Sequence, residues 1–204
     1  MRQMIRRMVM VGGLVLLGVA ATTWAQESVR VRGTIERMEG TTLLVKARDG
    51  TELKVVLAAN AVVVGLVKAS LADIKPGTFV GVTGLPQPDG SQKAVEVHIF
   101  PEAMRGTGEG HRPWDLAPQS TMTNANVEEA VTGVNGQTLT LKYKDGEKKV
   151  IVSPDTPVVI YMAGSKSELT PGTKIFIPAA KKLPDGSLEA PRVNFGKDGL
   201  TPPM

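Results

Sequence analysis

The sequence predicts an all-β protein built from two tandem small Greek-key barrels of the oligonucleotide/oligosaccharide-binding (OB) type, joined by an ordered bridge. Three observations predict it. Apolar residues alternate with polar ones over short runs, which puts successive side chains on opposite faces of a strand. The runs are separated by Asp-Gly pairs, the strongest short-range turn signal. The third observation is that the chain states one pattern twice. TLLVKARDG (residues 42–50) matches TLTLKYKDG (138–146) at an offset of 96, and LADIKPGTFVGV (71–82) matches KSELTPGTKIFI (166–177) at 95. PDGSQKAVEVHIF (88–100) matches PDGSLEAPRVNF (184–195), again at 96. Matched blocks in one order at a nearly constant offset mark a duplicated unit, and two copies with no shorter period read as two domains rather than a solenoid.

Residues 1–25 read as a signal peptide. Arg2, Arg6 and Arg7 form a charged start, residues 9–21 form an apolar run, and Thr23 and Ala25 supply the small residues of a cleavage site. The apolar run is 13 residues long, short of the ~20 that a spanning helix needs. Cleavage after Ala25 would leave a chain starting at Gln26 in the periplasm, with no membrane span. No cysteine occurs, which excludes disulfides, thiol catalysis and a lipoprotein anchor together. The net charge of +4 is carried by the leader: 24 basic residues less its three arginines leave 21 against 20 acidic ones. A nearly neutral chain lacks the basic field that nucleic acid requires, so no nucleic-acid partner is expected.

Copy one, residues 26–102, has strand patterns VRVRGTIER, TLLVKA, ELKVVL, AVVVGL, TFVGVTG and AVEVHIF, with turns at Asp49-Gly50 and Asp89-Gly90. Copy two, residues 125–198, has TLTLKY, KKVIV, VVIYM, KIFIP and PRVNF, turned at Asp145-Gly146 and Asp185-Gly186, and residues 199–204 form a tail. Ser70-x-x-Asp73 and Ser165-x-x-Glu168 are capping-box patterns, each opening a single helical turn stopped by Pro76-Gly77 or Pro171-Gly172. Five or six short strands close most economically into a small barrel, which removes exposed edges. An SH3-like barrel is the alternative topology.

Between the copies lies a bridge, residues 103–124. It is longer than compact folds leave unstructured, yet it carries Met104, Trp114, Leu116 and Met122, unlike a flexible Gly/Ser linker. Trp114 in water would expose on the order of 200 Å², so it is expected to dock on a barrel. The bridge therefore reads as a clasp, and Glu109, His111, Arg112, Trp114 and Asp115 are its candidate residues for binding a ligand or partner.

Catalytic chemistry finds little support. The only histidines are His98 and His111. Period two places Val95, Val97 and Ile99 on one face of AVEVHIF and Glu96 and His98 on the other, so His98 is expected at the surface. No HxxxH or HxxE pattern exists for a metal; Met104, His111 and Met122 are the one alternative set, a soft Cu(I) type of site. GTGEG at 106–110 lacks phosphate-loop spacing, and the proline between Glu109 and Asp115 argues against a glycosidase pair. The strands lack the aromatic platforms of single-strand nucleic-acid binders, and no cofactor is expected.

The bridge GTGEGHRPWDL followed by STMTNA, and the ending GKDGLTPPM (196–204), resemble a family of uncharacterised exported bacterial proteins with two copies of a small β-barrel domain of unknown function. The resemblance spans residues 26–204. It implies the tandem fold and export but no catalytic or ligand residues. Some of those proteins carry an automatic label of metal-transporter permease, which a chain without a spanning segment beyond its leader contradicts. The function expected is a soluble periplasmic binding or adaptor protein, non-catalytic, for an unknown protein or small ligand. The alternative is a metal-handling accessory protein using bridge His and Met residues.

Overall fold

Where the alternation and the Asp-Gly pairs predict strands and turns, the computed structural model has them, except that ELKVVL and AVVVGL belong to one strand. It describes residues 28–134 and 136–204; the expected leader lies outside the described residues. From copy one come β1 (Ser28–Glu39), β2 (Thr42–Ala47), β3 (Glu52–Ala69), β4 (Phe79–Pro86) and β5 (Gln92–Ile99). The bridge contributes β6 (Gly110–Pro113). Copy two supplies β7 (Thr121–Gly133), β8 (Gly136–Tyr143), β9 (Gly146–Val152), β10 (Val158–Ala163), β11 (Lys174–Lys182) and β12 (Leu188–Gly196). Helical structure among the described residues is confined to single 3-10 turns, two of them at the expected places, Leu71–Asp73 and Lys166–Glu168. The backbone N–H of Ser70 donates to Asp73 at 2.8 Å and that of Ser165 to Glu168 at 2.8 Å, the reciprocal half of a capping box. The fold is all-β.

The strands close into two five-membered circuits. In the first, β1 pairs with β2, β2 with β3, β3 runs parallel to β12, β12 pairs with β11, and β11 returns to β1. Ile35, Leu43, Val55, Ile177 and Val193 fill it, all with no exposure. The second runs β7, β8, β9, β5, β4 and back to β7 around Val80, Val97, Leu139, Leu141 and Val150. Each circuit thus takes three strands from one copy and two from the other. The two copies of the sequence, 26–102 and 125–198, are not the two closed barrels of the structure.

β3 runs 18 residues without a proline, with a shift of register between Leu57 and Val62; its stretches 55–57 and 62–66 both run beside β12, and its end reaches β10. β4 and β5 close the other barrel, and β11 and β12 fill the equivalent places in the first. Pro154 and Pro157 interrupt the matching stretch of copy two, separating β9 from β10. The end of β3 pairs antiparallel with β10, and β10 runs parallel to β5, so one continuous sheet links both barrels. Leu66 pairs with Tyr161, its equivalent at the offset of 95, which places an approximate twofold axis between them.

Around that axis the outward faces of the barrels bury a third core. Val64, Leu66, Phe79, Phe100, Val159, Tyr161, Phe176 and Met204 form it, with Met104, Trp114 and Leu200 packed against it. At ~25 cal/mol per Å² of apolar surface, covering these aromatic faces is a main term holding the barrels together. Residues 199–204 are part of this packing: Met204 is buried, its carbonyl accepts from Arg32 Nε at 2.9 Å, and Pro202 accepts from Arg48 at 3.2 Å.

Candidate functional site

The third core is not filled completely. A cavity of 170 Å³ remains, walled by Phe100, Trp114, Met122, Tyr161, Phe176 and Met204 and edged by polar groups from both copies and the bridge. Strand parity explains which residues reach it. Val97 and Ile99 point into the second barrel, so Glu96, His98 and Phe100 point to the junction; Val80 and Val82 face inward, leaving Phe79, Gly81 and Thr83 outward. On the first barrel Ile175 and Ile177 face inward, leaving Phe176, and Val193 inward leaves Arg192 and Asn194.

His98 is therefore not the surface histidine that its strand pattern suggests. It is 3% exposed and Glu96 is fully buried, because β10, the bridge and the first barrel cover the face that would otherwise meet water. His98 Nδ1–H donates to Glu96 at 3.1 Å, and the Thr83 hydroxyl donates to the same carboxylate at 2.6 Å. These bonds offset the cost of burying a carboxylate and fix the imidazole tautomer. Nε2 is left at the cavity. His98 also packs edge-on against Phe100 and Tyr161, at 5.0 and 5.3 Å between centroids. Burial first, and then the Glu96 charge, push the Tyr161 phenol well above its ordinary range, so Tyr161 is a neutral donor.

Three buried polar atoms that line this cavity have no hydrogen-bond partner: Trp114 Nε1, Asn124 Oδ1 and Asn194 Oδ1. Asn124 is held by its amide, which donates to Thr107 O at 2.9 Å, and its oxygen lies over Gly81. Arg112 reaches the cavity wall with one N–H on Gly108 O at 2.7 Å. Left-handed φ values at Gly106, Gly108 and Gly110 let the bridge turn tightly enough to present Thr107 and Gly108 there. Burial, and then the neighbouring Arg30 charge, lower the Arg112 pKa.

Of the five bridge residues expected to bind, the structure brings Arg112 and Trp114 to the cavity and separates the rest. Trp114 is half-buried, with the Arg30 guanidinium 4.0 Å and the Arg112 guanidinium 5.7 Å from its ring and Phe176 edge-on at 6.4 Å. Asp115 lies beyond it, bonded to Arg32 at 2.7 Å and 3.6 Å from Arg30, where it clasps β1. Glu109 accepts from the backbone of Lys144 at 3.0 Å, pinning the β8–β9 hairpin. His111 lies opposite Thr123 in the β6–β7 ladder, its Nδ1 2.8 Å from Thr123 Oγ1 and its ring stacked on Tyr143.

Met104, His111 and Met122 do not assemble a metal centre. In the β6–β7 ladder His111 faces Thr123 and Arg112 faces Met122, and adjacent residues of a strand point to opposite faces. His111 and Met122 are thus on opposite sides of the ribbon, while Met104 packs against the third core. Among the described residues no group of three His, Asp or Glu converges either.

Glu96, His98, Asn124, Tyr161, Arg192 and Asn194 were not legible as site residues from single-strand periodicity. A signal did exist. Phe79, Phe100 and Phe176 sit on the strand parity opposite the core valines, where a solvent-facing strand would be polar, and an apolar residue on both parities marks a strand buried on both faces. Equivalent outward positions of the copies also differ in chemistry, with Glu96 against Arg192, His98 against Asn194, and Gly81 against Phe176.

No helix among the described residues is long and apolar enough to cross a membrane. Comparison with known proteins finds no family model that matches the chain, no similar curated protein and no matching solved structure.

Proposed function

We propose that this chain is an exported, non-catalytic binding protein whose ligand is a small polar molecule held in the cavity between the barrels. One observation carries the reading: Trp114, Asn124 and Asn194, which line a single aromatic-walled cavity, each carry a buried polar atom without a hydrogen-bond partner. An unmade hydrogen bond at a buried polar atom costs ~1–3 kcal/mol, so three at one place are a standing cost that a ligand would relieve. A concave, mostly apolar site with a few convergent polar groups at a domain junction is the usual form of a small-molecule site. The strand order, first-second-third-fifth-fourth with the third and fifth parallel, supports an OB-like description of each circuit. Export is supported by the leader pattern at 1–25 and by the resemblance of the bridge.

The test is a thermal-shift screen of the purified protein against a library of small polar metabolites, repeated on Asn194→Leu. The reading expects at least one stabilising compound whose effect disappears in the variant, and a ligand-free variant that melts higher than the parent. A library without effect, together with a variant that melts lower, would show that the Asn194 oxygen is satisfied structurally and that the cavity is only a packing defect.

A further inference from the structure

The chemistry of the cavity walls narrows the ligand class, on the reading that this cavity is the binding site. Its donors are the Arg112 and Arg192 guanidiniums, Trp114 Nε1 and the Tyr161 hydroxyl. The Arg192 side chain makes no hydrogen bond or ion pair with any described residue, although it stands close enough for its charge to act on Tyr161. No carboxylate lines the space, since Glu96 is turned to His98 and Thr83. Two partly buried cationic groups at a pocket with no lining carboxylate suit an anion, and a guanidinium pairs best with a carboxylate, through two parallel bonds.

The acceptors set a second requirement. Asn124 Oδ1, Asn194 Oδ1 and His98 Nε2, whose ring already gives its Nδ1–H to Glu96, have no donor among the described residues. A carboxylate satisfies none of them, so the ligand must also carry an O–H or N–H. Nε2 and Asn124 Oδ1 close over Gly81, 2.0 and 2.7 Å from where a Cβ would be, so a ligand hydroxyl meets one of these acceptors from the cavity side. Size is the third limit. The 170 Å³ available is close to cavities of about 150 Å³ that take up benzene, which allows roughly six to eight non-hydrogen atoms. Flat aromatic walls at Phe100, Tyr161 and Trp114 cover the carbon skeleton of such a molecule.

We infer that the cavity binds a small hydroxycarboxylate, with its carboxylate on Arg192 and Arg112 and its hydroxyl donating to the oxygens of Asn124 or Asn194. The aromatic walls alone would also suit a quaternary ammonium ion, but two guanidiniums oppose a cation.

Isothermal titration of the purified protein with L-lactate, D-glycerate, propionate, glycerol and tetramethylammonium chloride tests this. Lactate or glycerate is expected to bind one to one with Kd below about 1 mM. Propionate, which lacks the hydroxyl, should bind at least tenfold more weakly, and glycerol and tetramethylammonium should give no heat. Arg192→Met should weaken the hydroxycarboxylate at least tenfold at unchanged Tm, and Arg192→Lys, which keeps the charge, should retain part of the affinity. No heat from either hydroxycarboxylate, propionate binding as tightly, or full affinity in Arg192→Met overturns the inference. Glycerol or tetramethylammonium binding that Asn194→Leu abolishes overturns the ligand class but keeps the cavity as a binding site. If no probe binds and Asn194→Leu also lowers Tm, the cavity reading falls with it.

Discussion

Gly81 faces His98 across the β4–β5 ladder, and a Cβ on Gly81 would lie 2.0 Å from His98 Nε2 and 2.7 Å from Asn124 Oδ1. Its backbone angle is ordinary, so the requirement for glycine is steric. Gly81→Ala must displace an imidazole held by Glu96 in a packed core. It is expected to destabilise the protein by about 1–3 kcal/mol, the usual cost of overpacking, and to change the cavity even where the fold survives. Chemical denaturation checks the first and ligand titration the second; an alanine variant as stable as the parent would show that His98 moves freely.

Asn194→Leu gives the opposite sign. Removing a buried oxygen with no partner should raise stability by about 1 kcal/mol, and a chain of this size then melts roughly 2–4 °C higher. Most core substitutions destabilise, so a gain at a fully buried position is diagnostic of a group kept for function.

Trp114 is only half-buried but lies against Arg30 and Phe176. In leader-cleaved protein, where no other tryptophan is present, its emission should be blue-shifted and move red on unfolding. Trp114→Ala should cost about 2–3 kcal/mol, below the ~3–5 of a fully buried ring. A red-shifted native spectrum with an unchanged Tm in the variant would mean that the ring is not docked.

The His111 pKa is lowered by burial, then by the Lys148 and Arg112 charges. A folded pKa below the unfolded value of about 6.5 means that the unfolded chain binds the proton more readily. The stability contributed by neutral His111 is complete above pH 6.5 and is lost as pH falls through its folded pKa. The His111 ring-proton resonances should titrate with a midpoint below 6.5, and His111→Asn should flatten the acid limb of stability. A midpoint at or above 6.5 would contradict the assignment.

Strand exchange can be read by cross-linking, since the chain has no cysteine of its own. Thr34 pairs with Lys174 in the β1–β11 ladder. The double variant Thr34→Cys, Lys174→Cys should therefore form an intramolecular disulfide, because opposed residues on antiparallel strands stand close enough. Thr34→Cys with Phe79→Cys, the partner position that an unexchanged barrel would use, should not. The reverse result on non-reducing gels would show that each copy closes on itself.

The sequence by itself determined the strand class, the turn positions, both capped 3-10 turns and the duplication, because each depends on neighbours within a few residues. It also indicated that Trp114 must dock, since a large ring in a bridge has nowhere favourable to remain in water. What it left open follows from symmetry. β4 and β11, like β5 and β12, present equivalent apolar faces, so a barrel closed by its own copy and one closed by the other satisfy the same pattern. The tertiary structure decided between them: β1 and β3 pair with β11 and β12 rather than with β4 and β5. The burial of His98 and Glu96 was decided in the same way: period two specifies which side chains share a face, but whether that face meets water or a second barrel depends on strands some sixty residues or more away, such as Tyr161 in β10 and Phe176 in β11.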